Sequence, residues 1–331
     1  MPFGEIVGHG HLLELLAAAA SRQSLPPSLI FAGPDGVGKR TAAVALAQLL
    51  NCLRPTATDA CGVCASCKRI ARGVHADVLL IEPGETGSIK VDQVRDAIER
   101  AAYRPFEGRK RVVIVDDADA MVIEAQNALL KTLEEPPAAS MFILVSSRPD
   151  LLLPTVLSRC QRLRFGRLAP ADVANVLMRA HGYDAADAHA SASASDGSIG
   201  AALDGGSEGF VDAREAAMQL LQTVSASSDP RRRLDGARTL AGGGRAGADR
   251  EELARRLRAL ATMLRDIVLL KAPADDRWLA NADLQPVFKK LLHAFDADRA
   301  LRGFAAVDKA LDALDRNASP KIVADWIAFQ L

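Results

Sequence analysis

The chain reads as a parallel α/β domain followed by an all-helical half. Three observations lead there. Short apolar runs alternate with helical stretches through the first half, a glycine-rich turn joins one run to an Ala/Leu-rich helix, and strand patterns stop after about Arg167. Five such strands with intervening helices imply a parallel sheet covered on both faces.

Taken in order, an amphipathic helix is expected over Leu12–Ser21, then a buried strand over Leu29–Ala32 and a helix over Lys39–Asn51. A cysteine-rich insertion covers roughly Cys52–Ile70. Strand Val78–Glu82 and helix Val91–Ala102 follow, then strand Val112–Asp116 and helix Met121–Glu134. Pro136-Pro137 stops that helix, because proline lacks the N–H and clashes with the preceding turn. Strand Met141–Ser146, a short helix near Leu151–Leu157 and strand Arg162–Phe165 complete the alternation.

Beyond that point the expected helices are Pro170–Ala180, the Ala/Ser-rich Ala185–Ser195, and Ile199–Asp204 capped by Asp196-Gly197-Ser198. Gly205-Gly206-Ser207 reads as a linker. Helices Asp212–Val224, Arg232–Leu240, Arg250–Leu270, Leu284–Phe295, Asp298–Arg316 and Pro320–Phe329 follow, with Gly242-Gly243-Gly244 between two of them. There is no internal repeat.

The 331 residues give room for about two or three domains. Hydrophobic residues make up 49% and aromatic ones 4%, the balance of an Ala/Leu-rich, mostly helical protein with an adequate core. Net charge is zero, so no global field draws the chain onto nucleic acid. A membrane span of about 18 apolar residues is not found. The run Leu12–Ala20 is broken by Glu14 and follows no basic segment, which makes a signal peptide unexpected. A cytoplasmic location follows as an expectation, and disulfides are rare there, so the five cysteines need another role.

Gly33-Pro34-Asp35-Gly36-Val37-Gly38-Lys39 has the spacing of a phosphate loop. Its glycines let backbone N–H groups face an anion, and the helix N-terminus adds partial positive charge. Lys39 would reach the outer phosphates of a nucleotide. Arg40, however, stands where Ser or Thr should hold magnesium, and Thr41 comes one residue late. One residue turns a helical side chain by about 100°, so Thr41 should not replace the missing hydroxyl. A glycine-rich turn without ligand, or a loop that binds nucleotide weakly or not at all, stays open beside this reading.

Val112–Asp117 has the form of the second nucleotide motif, four apolar residues and an acid. Asp116 would position magnesium. Asp117 stands where Glu usually orients the attacking water and is shorter by one methylene; a misplacement of about 1 Å can cost on the order of a hundredfold in rate. An ordinary strand with an acidic turn is the alternative. Ser147, after the next strand, is either a phosphate contact or a strand cap.

Cys52, Cys61, Cys64 and Cys67 form C-x8-C-x2-C-x2-C. Four thiolates can surround Zn2+ at about 2.3 Å with no position left for water, so the site would be structural. Such binding is worth roughly 10–16 kcal/mol in small finger peptides. Unmetallated core cysteines are the alternative, and Cys160 reads as simply buried. Arg104, Arg109, Lys110 and Arg111 read first as a solvated loop and second as a DNA or partner contact. Arg231-Arg232-Arg233 reads as a solvated helix start. Arg159 is either a surface charge or an arginine finger offered to a neighbour's nucleotide, a contact worth about 10³–10⁵ in rate.

The phosphate-loop pattern, the four cysteines, NALLKTLEEPP at Asn127–Pro137 and LSRCQ at Leu157–Gln161 together resemble bacterial clamp-loader subunits of DNA polymerase III. These are AAA+ proteins that place the sliding clamp on primed DNA. The resemblance covers about the first 205 residues. It implies an AAA+ module over 1–167 with the zinc insertion at 52–67, a helical lid over 168–208 and an all-α collar domain over 209–331. The family has an ATP-hydrolysing motor type (gamma/tau) and a stator type (delta prime).

Three departures favour the stator type: Arg40, Asp117, and Gly200 in Gly197–Leu203, where motors carry an Arg. The lack of a long tail after the third domain fits as well. Ser158-Arg159-Cys160, which would act on a neighbour, is intact. The resemblance then implies a hetero-pentamer with motor subunits and the delta subunit. It also implies contact with the clamp and primer–template DNA through the assembly, and ATP/Mg2+ bound weakly or not at all. An active ATPase motor and a zinc-module nucleic-acid binder are the competing readings.

Overall fold

The computed structural model describes residues 1–84, 86–204, 206–227, 229–242, 246–272 and 279–331. They form two compact units, Met1–Ala169 and Pro170–Leu331.

The first unit holds strands β1 (Ser28–Ala32), β2 (Val78–Ile81), β3 (Arg111–Val115), β4 (Ser140–Ser146) and β5 (Gln161–Arg164). All are parallel, in the order β2-β3-β4-β1-β5. Helices α1 (Gly10–Ser21), α2 (Lys39–Asn51), α3 (Ala65–Ala71), α4 (Val91–Ala102), α5 (Ile123–Glu134) and α6 (Pro154–Leu157) intervene. Every residue of β1, β3 and β4 is buried, as a sheet covered on both faces requires.

Side chains alternate between the two faces. Leu29, Phe31, Val112, Ile114, Ile143 and Val145 join one core with α1 and α2. Ile30, Ala32, Val113, Val115, Phe142 and Leu144 join the other with α4 and α5. The strand order matters for function. It sets the C-terminal ends of β3, β4 and β1 side by side, and ligands of such sheets sit beyond those ends, where the connections part to opposite sides.

Asp77 ties the first core together. Its carboxylate is fully buried and accepts hydrogen bonds from the N–H groups of Phe106 (2.7 Å), Glu107 (2.9 Å) and Gly108 (2.7 Å). Arg111 Nη2 adds an ion pair at 2.8 Å. Beside it, Asn51 Oδ1 accepts from the N–H groups of Arg109 (2.8 Å) and Lys110 (3.0 Å). Arg109 also donates to the carbonyls of Leu50 (3.0 Å) and Cys52 (3.0 Å) and so caps the C-terminus of α2. The expected solvated basic loop holds for Arg104 and Arg109, which are exposed, and is corrected at Arg111, which is buried.

The second unit is helical throughout its described residues: α7 (Pro170–His181), α8 (Ala185–Ala194), α9 (Ile199–Leu203), α10 (Gly206–Ala226), α11 (Pro230–Ala241), α12 (Ala246–Lys271), α13 (Gln285–Leu291), α14 (Ala297–Asp315) and α15 (Pro320–Gln330). Helices α10, α12, α13, α14 and α15 contribute to one apolar core containing Leu220, Leu260, Leu264, Phe288, Val307 and Ile327. Asp184 and Ser198 cap α8 and α9 with their side chains. Arg231 and Arg232 are exposed at the start of α11, as expected. The linker expected at Gly205-Gly206-Ser207 is corrected: α10 already begins at Gly206, and Gly205 lies outside the described residues. Gly243 and Gly244 of the expected break lie outside them too. Among the described residues no helix is long and apolar enough to cross a membrane.

The buried Asp77 gives a test. Burial alone would raise its pKa, but the three N–H donors and Arg111 outweigh that and hold it down at about 2. A carboxylate with a folded pKa below its unfolded value stabilises the fold above the unfolded value, and that part is lost as pH falls. Asp77→Ala strands Arg111 and should cost about 3–5 kcal/mol in urea unfolding at neutral pH. The wild-type advantage over Asp77→Ala should shrink as the pH is lowered from about 4 toward 2.

Candidate functional site

The loop after β1 turns tightly because of its glycines. Gly38 has φ +96°, a left-handed conformation that disfavours a side chain. A Cβ on Gly33 would meet the Phe165 carbonyl oxygen at 2.1 Å, so the loop's entry fits glycine alone. Gly36 lies between them at φ +70°. Lys39 opens α2 and is buried, its Nζ donating to the carbonyls of Gly33 (2.7 Å) and Pro34 (2.6 Å). Asp35 Oδ1 stands 3.6 Å from the same ammonium. Burial lowers the Lys39 pKa, and the Asp35 charge works against that.

Asp116 follows the end of β3, and its N–H donates to the Ile81 carbonyl at 2.9 Å. That pairing carries the next residue of the neighbouring chain segment, Glu82, to the same rim. Arg40 Nη1 lies between the two acids, 2.6 Å from Glu82 Oε1 and 3.1 Å from Asp116 Oδ2. Burial raises the Asp116 pKa, while the Arg40 charge opposes the rise. Arg40 and Glu82 are each about half exposed. An ion pair in that setting is worth about 0–1 kcal/mol, too little for stability to be its main effect.

Asp117 takes a left-handed backbone (φ +47°) directly after Asp116. Its pKa is raised by burial first and then by the neighbouring charges of Asp116, Asp35 and Asp119. Thr41 lies on α2, one residue after Arg40. At the end of β4, Ser146 Oγ donates to Asp119 Oδ1 at 2.7 Å and the Ser147 N–H donates to the same oxygen at 3.1 Å. The structure therefore brings Lys39, Arg40, Asp116 and Asp117 to one rim and places Ser147 beside Asp119 on the adjoining strand end.

A magnesium ion needs near-octahedral oxygen ligands at about 2.0–2.1 Å. Here the expected hydroxyl is absent from position 40, and the acid that would take the ion already holds a guanidinium. The residues present do not fit the metal.

The four cysteines form a second site. Their sulfur atoms all lie within 4.8 Å of one another. A tetrahedron of thiolates around one ion needs sulfur separations of about 3.8 Å when the bonds are about 2.3 Å. Cys52 and Cys61 Sγ are 3.5 Å apart, far beyond a disulfide bond of about 2.05 Å. Backbone N–H groups of Cys61, Cys64 and Cys67 donate to the sulfurs of Cys52 (3.3 Å), Cys61 (3.4 Å) and Cys64 (3.4 Å). Burial pushes the Cys64 thiol up, yet the N–H groups of Cys67 and Leu53 hold it down at about 6. This cluster can hold a metal ion. Ser66 on α3 ties it to the end of α2 through the Asn51 carbonyl (2.8 Å) and to the segment before β2 through His75 Nε2 (3.1 Å). Cys160 stands apart, and burial raises its pKa to about 12.

Arg159 follows α6. Its Nε lies 2.8 Å from Glu134 Oε1, a second guanidinium nitrogen contacts the same oxygen, and Nη1 donates to the Thr155 carbonyl at 2.9 Å. About a third of the side chain is exposed.

Residues 8–169 match the sequence profile of the family described as "DNA polymerase III, delta subunit". Over these residues the chain is similar to DNA polymerase III clamp-loader subunits. The delta' subunit of Pseudomonas aeruginosa is 45% identical over 129 residues, 39% of this chain and 39% of that protein. The tau subunit of Bacillus subtilis is 36% identical over 166 residues, 50% of this chain and 29% of that protein. The matched region thus spans well under half the length of these relatives. A Thermotoga maritima protein described as related to the DNA polymerase III gamma subunit aligns over 96% of this chain and 97% of its own, at 18% identity and a TM-score of 0.47, too low to add to the strand order itself.

Sequence reasoning passed over Glu82, Asp119 and Glu134. Glu82 had a visible signal, an acid directly after an apolar strand, the same pattern that picked out Asp116. Asp119 and Glu134 act through partners about 25–28 residues away, which no local window displays.

Gly33→Ala should test the loop's geometry. The added methyl must push the Phe165 carbonyl or the loop aside, and such overpacking costs about 1–3 kcal/mol. Thermal unfolding of the variant beside Gly10→Ala, where nothing lies within 4 Å of the added methyl, should show a fall at Gly33 alone.

Proposed function

We propose that the chain serves as the non-hydrolysing, delta-prime-type stator of a DNA polymerase III clamp loader. One observation carries this reading: the Arg40 guanidinium sits on Asp116, where a hydrolysing site needs its metal. Gly200 in α9, where motors carry an Arg, points the same way. The similarity to a delta' subunit supports it further.

In this reading the module over 1–167 is followed by a lid over 168–208 and a collar domain over 209–331. The collar joins motor subunits of the gamma/tau type and a delta subunit in a hetero-pentamer in the cytoplasm. That assembly holds the sliding clamp and primer–template DNA. Arg159 is the arginine finger. In the single chain it docks on Glu134, and in the assembly it exchanges that carboxylate for the outer phosphates of a motor subunit's ATP. Both partners of the ion pair are accessible, so the exchange costs little.

The metal of the four-cysteine site is zinc. Its sulfur-only shell leaves no open position, and its role is to order residues 52–67. A motor role is the second reading, favoured by 36% identity to gamma/tau-type subunits over a longer stretch than the delta' match.

Two measurements separate the readings. The chain reconstituted with motor and delta subunits should assemble normally as Arg159→Ala, while ATP turnover at the adjoining motor site falls by about 10³–10⁵. The isolated chain should release no phosphate; release that Lys39→Ala abolishes would establish the motor instead. Separately, the purified chain should carry about one zinc by metal analysis. Cys64→Ser should lose that zinc and lower the unfolding temperature.

A further inference from the structure

The rim around Arg40 has a consequence beyond the loss of turnover. In a hydrolysing phosphate-loop site the divalent ion bridges the loop's hydroxyl, the strand-end acid and the phosphates. Here one side chain spans the same gap. Arg40 leaves α2 one residue after Lys39 and reaches both Glu82 and Asp116 through a single nitrogen, Nη1.

A guanidinium carries five N–H donors in a planar fork, keeps its charge at any pH of interest, and matches phosphate oxygens two at a time. Nη1 makes the ion-pair approach to each acid, and the fork carries further donors beside it. Half of the side chain is open to solvent. The rest of the anion cradle persists: Gly38 keeps its left-handed turn, and Lys39 donates to two neutral carbonyls with Asp35 at 3.6 Å.

We infer that Arg40 stands in for the divalent cation, and that this loop takes a nucleoside polyphosphate as the metal-free anion. Lys39 and Arg40 supply the positive charge, and Asp116 and Glu82 fix the guanidinium where magnesium would sit. The inference rests on the phosphate-loop reading of Gly33–Lys39 and not on the choice between stator and motor.

Calorimetric titration of the full chain with ATP, once with magnesium and once with EDTA, tests it. The two affinities should agree within about threefold, whereas Arg40→Thr should bind more weakly in EDTA and gain about tenfold or more when magnesium is added. Glu82→Gln removes a carboxylate that competes with phosphate for Arg40 and should tighten binding in EDTA. It supplies a second readout should Arg40→Thr unfold. No binding in EDTA, a wild-type affinity that climbs about tenfold with magnesium, or Glu82→Gln without effect would each overturn the proposal. Phosphate release by the isolated wild-type chain with metal-indifferent binding would sink the stator reading and leave this one standing. Magnesium-dependent binding without turnover would do the reverse.

Discussion

A fixed charge occupies the place of an exchangeable one. Lys39 and Arg40 are successive residues at the start of α2, and the strand order of the sheet sets Glu82 and Asp116 opposite them. Two acids at neighbouring strand ends repel each other unless a cation lies between them. A phosphate-loop enzyme meets that need with a metal that arrives with its nucleotide. This chain meets it with a tethered guanidinium. The guanidinium thus lies between the two carboxylates without any ligand.

The same economy of charge recurs lower in the sheet. Asp77 and Arg111 form a buried pair, and the carboxylate also accepts three N–H groups from the segment 106–108. Burying a pair is costly, and such pairs tend to fix geometry more than they raise stability. What this one fixes is the segment that leads into β3, hence the height at which Asp116 emerges. Ser66 and His75 extend the arrangement to the cysteine cluster, whose helix α3 has few apolar contacts of its own beyond Cys67 and Ile70. Residues 52–71 are thus held by polar bonds at one end and sulfur atoms at the other.

Much of the first unit could be read from the chain. The bounds of α2 and α4 agree residue for residue with those expected, because a phosphate-loop lysine and a polar-to-apolar periodicity mark them locally. Long-range partners were hidden. Arg111 looked solvated with the rest of its cluster because its acceptor, Asp77, lies on another segment of the chain. In the second unit the expected helix Leu284–Phe295 is shorter, a 3-10 turn at Ala282–Leu284 followed by Gln285–Leu291. Pro286 restricts the residue before it and favours a fresh start. Phe295 is still fully buried, which explains why the apolar pattern ran past the helix end. Gly206-Ser207 looked like a linker because glycine disfavours helix interiors, but at a helix's first residues that cost is small.

Arg159 completes the contrast with Arg40. Both are arginines beside carboxylates, yet their surroundings differ. Arg40 is shared by two acids on two strand ends of its own sheet, so leaving them would expose two like charges to each other. Arg159 contacts one acid, Glu134, at the end of α5, and Glu134 is half exposed and readily hydrated. Water can take over for a single exposed carboxylate, and a nucleotide's triphosphate carries more charge than Glu134 does. One guanidinium is therefore shared between acids, and the other is held by a single accessible one. That difference in anchoring follows from the number of acids at each site and from nothing in the arginines themselves.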